Sequence, residues 1–212
     1  MTEKTSTRAY RSALRTEQAA ETRRRVLEAA AACFAEQGYA GTSLPQIGAR
    51  AGVSTETVKA NGPKRNLLLA AFEQAFAGAE GDELIADSEE GRRIIGIRDP
   101  ELLLRTGAEL VAAANARTST LWTELLSAAN ADAEIAAALA ALLDRRRQDY
   151  LGVARLLMER GIARADLDAD VAAAVLSFAW SPESHQQLVL QSGWDMPRYE
   201  RWLVDAARRL LG

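Results

Sequence analysis

The sequence is short of the residues on which most catalytic and metal chemistry depends. It holds one cysteine, Cys33, and one histidine, His185. A single cysteine excludes an internal disulfide, which fits a reducing cytoplasm. One residue of each kind leaves no zinc set of the usual ligand types, and nothing in the sequence anchors a Cys-His or Ser-His-Asp relay. No G-x-G-x-x-G or G-x-x-x-x-G-K-[ST] phosphate loop occurs. Carboxylates are numerous but fall at solvated helical positions, so no metal, cofactor or enzymatic activity is expected. No apolar run approaches ~18 residues, so no membrane span is expected, and MTEKTSTRAYRSALRTEQ lacks the apolar stretch of a secretory signal. Aromatics make up only 6% of the chain, and β-branched residues are scattered rather than grouped. Alanine and leucine dominate what remains, which points to an all-α fold.

Lysine is absent after residue 65, and charge divides there. Residues 1–65 carry +5 and residues 66–212 carry −8, giving the net −3. A basic front end suits a polyanion, and the acidic body suits some other task; an ordinary scatter of surface charge is the alternative.

Helical spacing runs through the chain. Residues 1–15, with Lys4, Arg8, Arg11 and Arg15, read as a disordered or partly helical basic arm. It either tracks DNA or is a solvated tail. A helix is expected over 17–37, with Val26, Ala30, Cys33 and Phe34 as its apolar stripe and Gly38 as its stop. Cys33 fits there as a small core residue rather than a reactive thiol. Ser43, Pro45 and Gln46 then start a two-turn helix that Gly52 closes. Ser54 caps a second short helix, which Asn61-Gly62-Pro63 halts, and an apolar helix carrying Leu67, Leu68, Ala71, Phe72, Ala75 and Phe76 follows to Gly78. Residues 79–98 read as a loop or broken helix. Further helices are expected at 100–115, 117–130, 133–160, 168–180, 182–191 and 197–211, several beginning at Asp or Ser caps. No segment alternates as a strand.

Two short helices joined at Gly52 and laid across a longer one form the pattern of a helix-turn-helix, with a plain helical corner as the alternative. Glycine supplies the positive φ of the turn. Val53 and Val58 anchor the second helix, while Ile47, Ala51 and Phe34 complete a small core. Ser54, Thr55, Glu56 and Thr57 open the second helix with small polar groups that admit a close approach to base edges.

The run G-Y-A-G-T-S-L-P-Q-I-G-A-R-A-G-V-S-T-E-T-V over residues 38–58 resembles the TetR family of transcriptional regulators. The match covers about residues 17–70. It implies three segments: a basic disordered arm (1–15), a helix-turn-helix DNA-binding domain (16–65), and a larger helical domain for ligand binding and dimerisation (66–212). It further implies a cytoplasmic homodimer on a palindromic double-stranded DNA operator, controlled by a small molecule and most often acting as a repressor. Carried over by position, Thr42 and Ser43 match phosphate contacts at a helix start, and Ser54, Thr55, Glu56 and Thr57 open the recognition helix. Lys64 and Arg65 join this set, with Arg65 standing where the family usually has lysine. The chain departs from the family just beyond. Lys59, Asn61 and Gly62 replace the usual Tyr, Tyr and Phe, so Lys59 would exchange a hydroxyl contact for a charged phosphate contact. This departure leaves a second reading open, a helical small-molecule-binding or scaffold protein with weakened or lost DNA binding.

In the body, Leu103, Leu104, Val111, Trp122, Leu125, Leu126 and Met158, with Thr106 among the polar groups, are candidate walls of a pocket for a largely apolar effector. An ordinary packed core would use the same residues. Val171, Val175, Phe178, Trp202, Leu203 and Leu210 are candidates for a four-helix dimer interface, with burial inside one subunit as the alternative. The run Arg145-Arg146-Arg147 reads as a solvated face near Asp144 and Asp149. His185 reads as a polar interface or surface residue rather than a ligand.

Overall fold

The structure, a computed structural model, describes residues 3–78, 80 and 85–212, with the backbone alone at residues 3–13 and 85. It is 82% helical, with no strand among the described residues. In chain order the elements are α1 (Glu3–Gly41), α2 (Leu44–Ala51), α3 (Thr55–Ala60), α4 (Lys64–Ala77), a 3-10 turn (Ile85–Asp87) and α5 (Glu89–Ile95). There follow α6 (Pro100–Ala129), α7 (Ala133–Glu159), α8 (Ala169–Ala179), α9 (Pro182–His185) running into a π turn (Gln186–Gln191), and α10 (Met196–Leu211).

Local chemistry accounts for most of these starts. Ser54, Ser88, Asp99, Asp132, Asp168, Ser181 and Asp195 each accept a hydrogen bond from a backbone N–H in the first turn of the helix that follows. Such caps contribute about 1 kcal/mol apiece. Helix α1 breaks at Gly38, whose φ of 75° and ψ of 163° are non-helical. Of the two forms open to the basic arm, the described residues take the helical one, α1 extending back to Glu3 through a stretch free of glycine and proline. Two expectations are corrected. The two helices expected at 100–115 and 117–130 are one, since nothing between Gly107 and Ala129 breaks a helix. Residues 182–191 end in a π turn instead of continuing as α-helix. Of the segment 79–98, residues 79 and 81–84 lie outside the described residues, and the rest holds the short turn and α5 between irregular residues.

Two cores hold these helices. The first gathers Val26, Leu27, Cys33 and Phe34 of α1, Ile47 of α2, Val58 of α3, and Leu67, Leu68 and Phe72 of α4. It continues without a gap into Leu121, Trp122 and Leu125 of α6 and Ile135 and Leu139 of α7. The second joins Leu104, Ala108 and Ala112 of α6 to Tyr150, Ala154 and Leu157 of α7, Leu176 of α8, and Tyr199, Leu203 and Leu211 of α10. The many alanines let these helices approach closely.

A buried polar cluster fixes the α8–α9 corner against α6. Asn115 Nδ2 donates to the Ser181 carbonyl (3.0 Å), the Trp180 carbonyl (3.3 Å) and the Tyr199 hydroxyl (2.9 Å). The Tyr199 hydroxyl also meets Ser184 Oγ at 2.8 Å, and Tyr150 Oη donates to the Trp180 carbonyl at 3.1 Å. His185 is not a surface residue: it is buried, with Nδ1 3.0 Å from Ser119 Oγ and its ring edge-on to Tyr199.

Tyr199→Phe removes a fully buried hydroxyl with two partners and should lower unfolding free energy by about 1–2 kcal/mol. Denaturant titration should show this as a lower midpoint with an unchanged slope. Burial holds the His185 pKa below its ordinary value of 6.5. The unfolded chain therefore takes up the proton first, so stability is full above pH ~6.5 and falls as pH drops from there toward the folded-state pKa. His185→Gln should flatten this dependence in unfolding curves measured across that window.

Candidate nucleic-acid interface and effector cavity

Helices α2 and α3 meet at Gly52, which has a φ of 67° and a ψ of 37°. A side chain there is strained by the backbone, and its Cβ would lie 3.1 Å from Arg25 Nη2. At the start of α2 the Ser43 backbone N–H donates to Gln46 Oε1 at 2.7 Å, and its hydroxyl donates to the same oxygen at 2.6 Å. Ser54 Oγ accepts from the Thr57 N–H at 3.1 Å and so starts α3. Val58 is fully buried and pins α3 to the first core. The opposite side of α3 is open, with Ser54, Glu56 and Lys59 exposed and Thr55 and Thr57 half-buried. A helix N-terminus with small polar side chains thus faces outward, held by one apolar anchor. That arrangement suits entry into a DNA groove.

Between α4, α5, α6 and α7 lies a cavity of about 240 Å³, just under the ~300–1,000 Å³ usual for drug-sized ligands. Its walls include Phe72 and Phe76 of α4, Ile94 of α5, Leu103, Leu104, Val111 and Trp122 of α6, and Tyr150, Val153 and Leu157 of α7. Trp180 closes one side. Charged groups interrupt this apolar lining: Glu73, Glu80, Arg145, Arg146 and Asp149. Arg145 Nη2 pairs with Glu73 Oε1 at 2.5 Å, which ties α7 to α4. Arg146 lies over the rings of Trp122 and Tyr150, 5.6 and 5.5 Å from their centroids, and donates to the Ser177 carbonyl at 2.7 Å. Burial pushes the Tyr150 pKa up to about 12, so its hydroxyl stays protonated. Among the described residues, no group of three or more His, Cys, Asp or Glu side chains could hold a metal ion, and no helix is long and apolar enough to cross a membrane.

Residues 26–58 match the model of the family described as bacterial regulatory proteins, tetR family. Solved structures resemble the chain over nearly its whole length. A TetR-family transcriptional regulator from Rhodococcus sp. aligns with a TM-score of 0.70 at 19% identity, covering 91% of this chain and 100% of that one. The whole chain has the TetR-family fold. A transcriptional regulator from Saccharomonospora viridis in complex with choline aligns at 0.66 and 23% identity, covering 88% of this chain and 95% of that one. The fatty acid degradation regulator FadR from Bacillus halodurans aligns at 0.66 and 20%, covering 89% and 93%. No curated protein matches the sequence.

Within this TetR-family fold the residues singled out by sequence divide sharply. Ser43, Ser54, Thr55, Glu56, Thr57 and Lys59 lie at the exposed starts of α2 and α3 or on the open side of α3. Thr42 does not: it is buried, and its hydroxyl donates to the carbonyls of Cys33 and Gly38. Lys64 is also turned inward, with Nζ donating to the Thr42 carbonyl at 2.7 Å and lying 4.4 Å from the centre of the Tyr39 ring. That burial lowers its pKa. Arg65 Nε pairs with Glu134 Oε2 of α7 at 2.6 Å. Sequence reasoning missed Arg25 and Arg23, whose guanidiniums donate to the Ala51 and Asn61 carbonyls at the ends of α2 and α3.

Of the candidate pocket residues, Leu103, Leu104, Val111 and Trp122 line the cavity, while Thr106, Leu125, Leu126 and Met158 do not. Leu125 is buried in the first core, Leu126 is exposed, and Met158 packs against the second core. Arg145 and Arg146 are half-buried cavity residues instead of a solvated face; Arg147 alone of the three is exposed, paired with Asp170. The signal was present in the sequence, because Arg146 sits on the same helical stripe as Leu139, Leu142, Tyr150, Val153 and Leu157. Val171, Phe178 and Leu210 are exposed, Phe178 at 80%, whereas Val175 and Trp202 are half-buried. Leu203 is fully buried inside the subunit, in the second core, and is not available to a partner.

The two lysines flanking the end of α3 should behave differently. Lys64→Met, which removes the bond to the Thr42 carbonyl and the contact with Tyr39, should lower unfolding free energy by about 1–2 kcal/mol. Lys59→Met, at an exposed position, should stay within about 0.5 kcal/mol of the parent in the same denaturant titration.

Proposed function

We propose that this chain is a ligand-responsive transcriptional repressor that binds a palindromic operator as a homodimer. The observation that carries the reading is α3 itself: Val58 locks one side into the core, and the other presents Ser54, Glu56 and Lys59. Thr55 and Thr57 complete the reading surface, and Ser43 at the start of α2 meets a flanking phosphate. The exposed stripe of Val171 and Phe178 on α8, with Leu210 of α10, supports pairing of two subunits. Pairing places two α3 helices one DNA turn apart, roughly 34–36 Å. The cavity takes the effector. Because Phe72 and Phe76 of α4 line it while Leu67 and Leu68 of the same helix belong to the core that also holds Val58 of α3, a ligand that displaces α4 changes the separation of the reading helices.

Fluorescence anisotropy on the DNA flanking the protein's own gene, at two salt concentrations, tests this reading. Gly52→Val should abolish specific binding, because a β-branched residue cannot hold the turn. Lys59→Ala should weaken binding to every sequence alike and reduce the salt slope by about one phosphate contact. Absence of specific binding at any salt would leave a helical small-molecule-binding protein in place of the regulator.

A further inference from the structure

We propose that the cavity takes a hydrophobic molecule bearing one carboxylate, with its head group at Arg146 and its apolar body toward Ile94, Leu103 and Leu157. The proposal rests on the cavity being the effector site. Leu157 lies three turns beyond Arg146 along α7, ~16 Å away, so the site is long enough to separate a polar head from a hydrocarbon body.

Arg146 differs from the other cations around the cavity. Arg145 is matched by Glu73 at 2.5 Å, and Arg23 is matched by the cavity-lining Glu80 at the same distance. Among the described residues Arg146 has no ion-pair partner; its Nη2 donates to the Ser177 carbonyl, and its guanidinium lies beside the Tyr150 hydroxyl. A guanidinium carries five N–H donors, and a half-buried charge without a counter-ion favours an anion brought by a ligand. Beside it, the Trp122 indole N–H is buried with no acceptor. This end of the cavity therefore has donors to spare.

A cationic ligand fits the same place poorly. The faces of Trp122 and Tyr150 that would receive a quaternary ammonium are already covered by the Arg146 guanidinium. Glu73 and Glu80 are paired, and Asp149 has interactions of its own. A second cation would meet Arg146 at close range in a poorly screened site.

The test is calorimetric titration of the intact protein with decanoate, decanol and decyltrimethylammonium, which share one hydrocarbon body. Decanoate should bind about tenfold more tightly than decanol, a difference of ~1.4 kcal/mol, and the ammonium compound should bind most weakly. Arg146→Met should bring the decanoate-to-decanol ratio close to one, and Arg146→Lys should restore part of it. If the ammonium compound binds as tightly as decanoate, or the ratio survives Arg146→Met in a variant that still binds decanol, the head-group assignment is wrong while the effector cavity stands. If none of the three binds, the effector cavity falls and the head-group assignment with it.

Discussion

Helix α4 must pack on both of its faces at once, and the rest of the molecule depends on that constraint. Its first half supplies Leu67 and Leu68 to the core beneath the helix-turn-helix. Its second half supplies Phe72, Glu73 and Phe76 to the cavity wall. Close-packed interiors do not deform continuously, and this one helix belongs to both the core and the cavity wall. Side chains from α6 and α7 hold it along its length. Arg65 pairs with Glu134, Glu73 with Arg145, and Arg117 donates to the Ala75 and Phe76 carbonyls at its end.

Cations set against helix C-terminal carbonyls recur through the structure. Helices leave their last carbonyls unpaired and carry negative partial charge there. Arg25 answers Ala51 of α2, Arg23 answers Asn61 after α3, Arg146 answers Ser177 of α8, and Lys64 answers Thr42 beyond the end of α1. The basic character of the first 65 residues is thus divided. One part holds the three-helix unit together, and another part, Lys59 among it, faces out. Net charge alone does not separate the two uses.

The cavity shows the same economy of cations. Arg145 and Arg146 are neighbours in sequence with different surroundings. A carboxylate from α4 meets the first, while two aromatic rings and a carbonyl surround the second. Both charges are tolerated in a largely apolar wall because each has compensating neighbours.

Much of the fold was legible in the residues. Ser43, Gln46, Gly52 and Ser54 mark the limits of α2 and α3 through local hydrogen bonding and one positive φ, and local interactions are what a sequence displays. The Asp and Ser caps of α6 to α10 are legible for the same reason. The long α6 was less so, because Ala112 to Thr118 carries neither a stop nor a strong periodicity, and the continuity of the helix comes from burial on several sides. The sequence by itself determined an all-α chain with a short-helix pair at residues 44–60. Tertiary structure alone decided that Thr42 and Lys64 turn inward, that Arg65 pairs with Glu134 of α7, and that Leu203 stays within the subunit. Those outcomes depend on which helices meet, and long-range packing leaves no mark in the local spacing of residues.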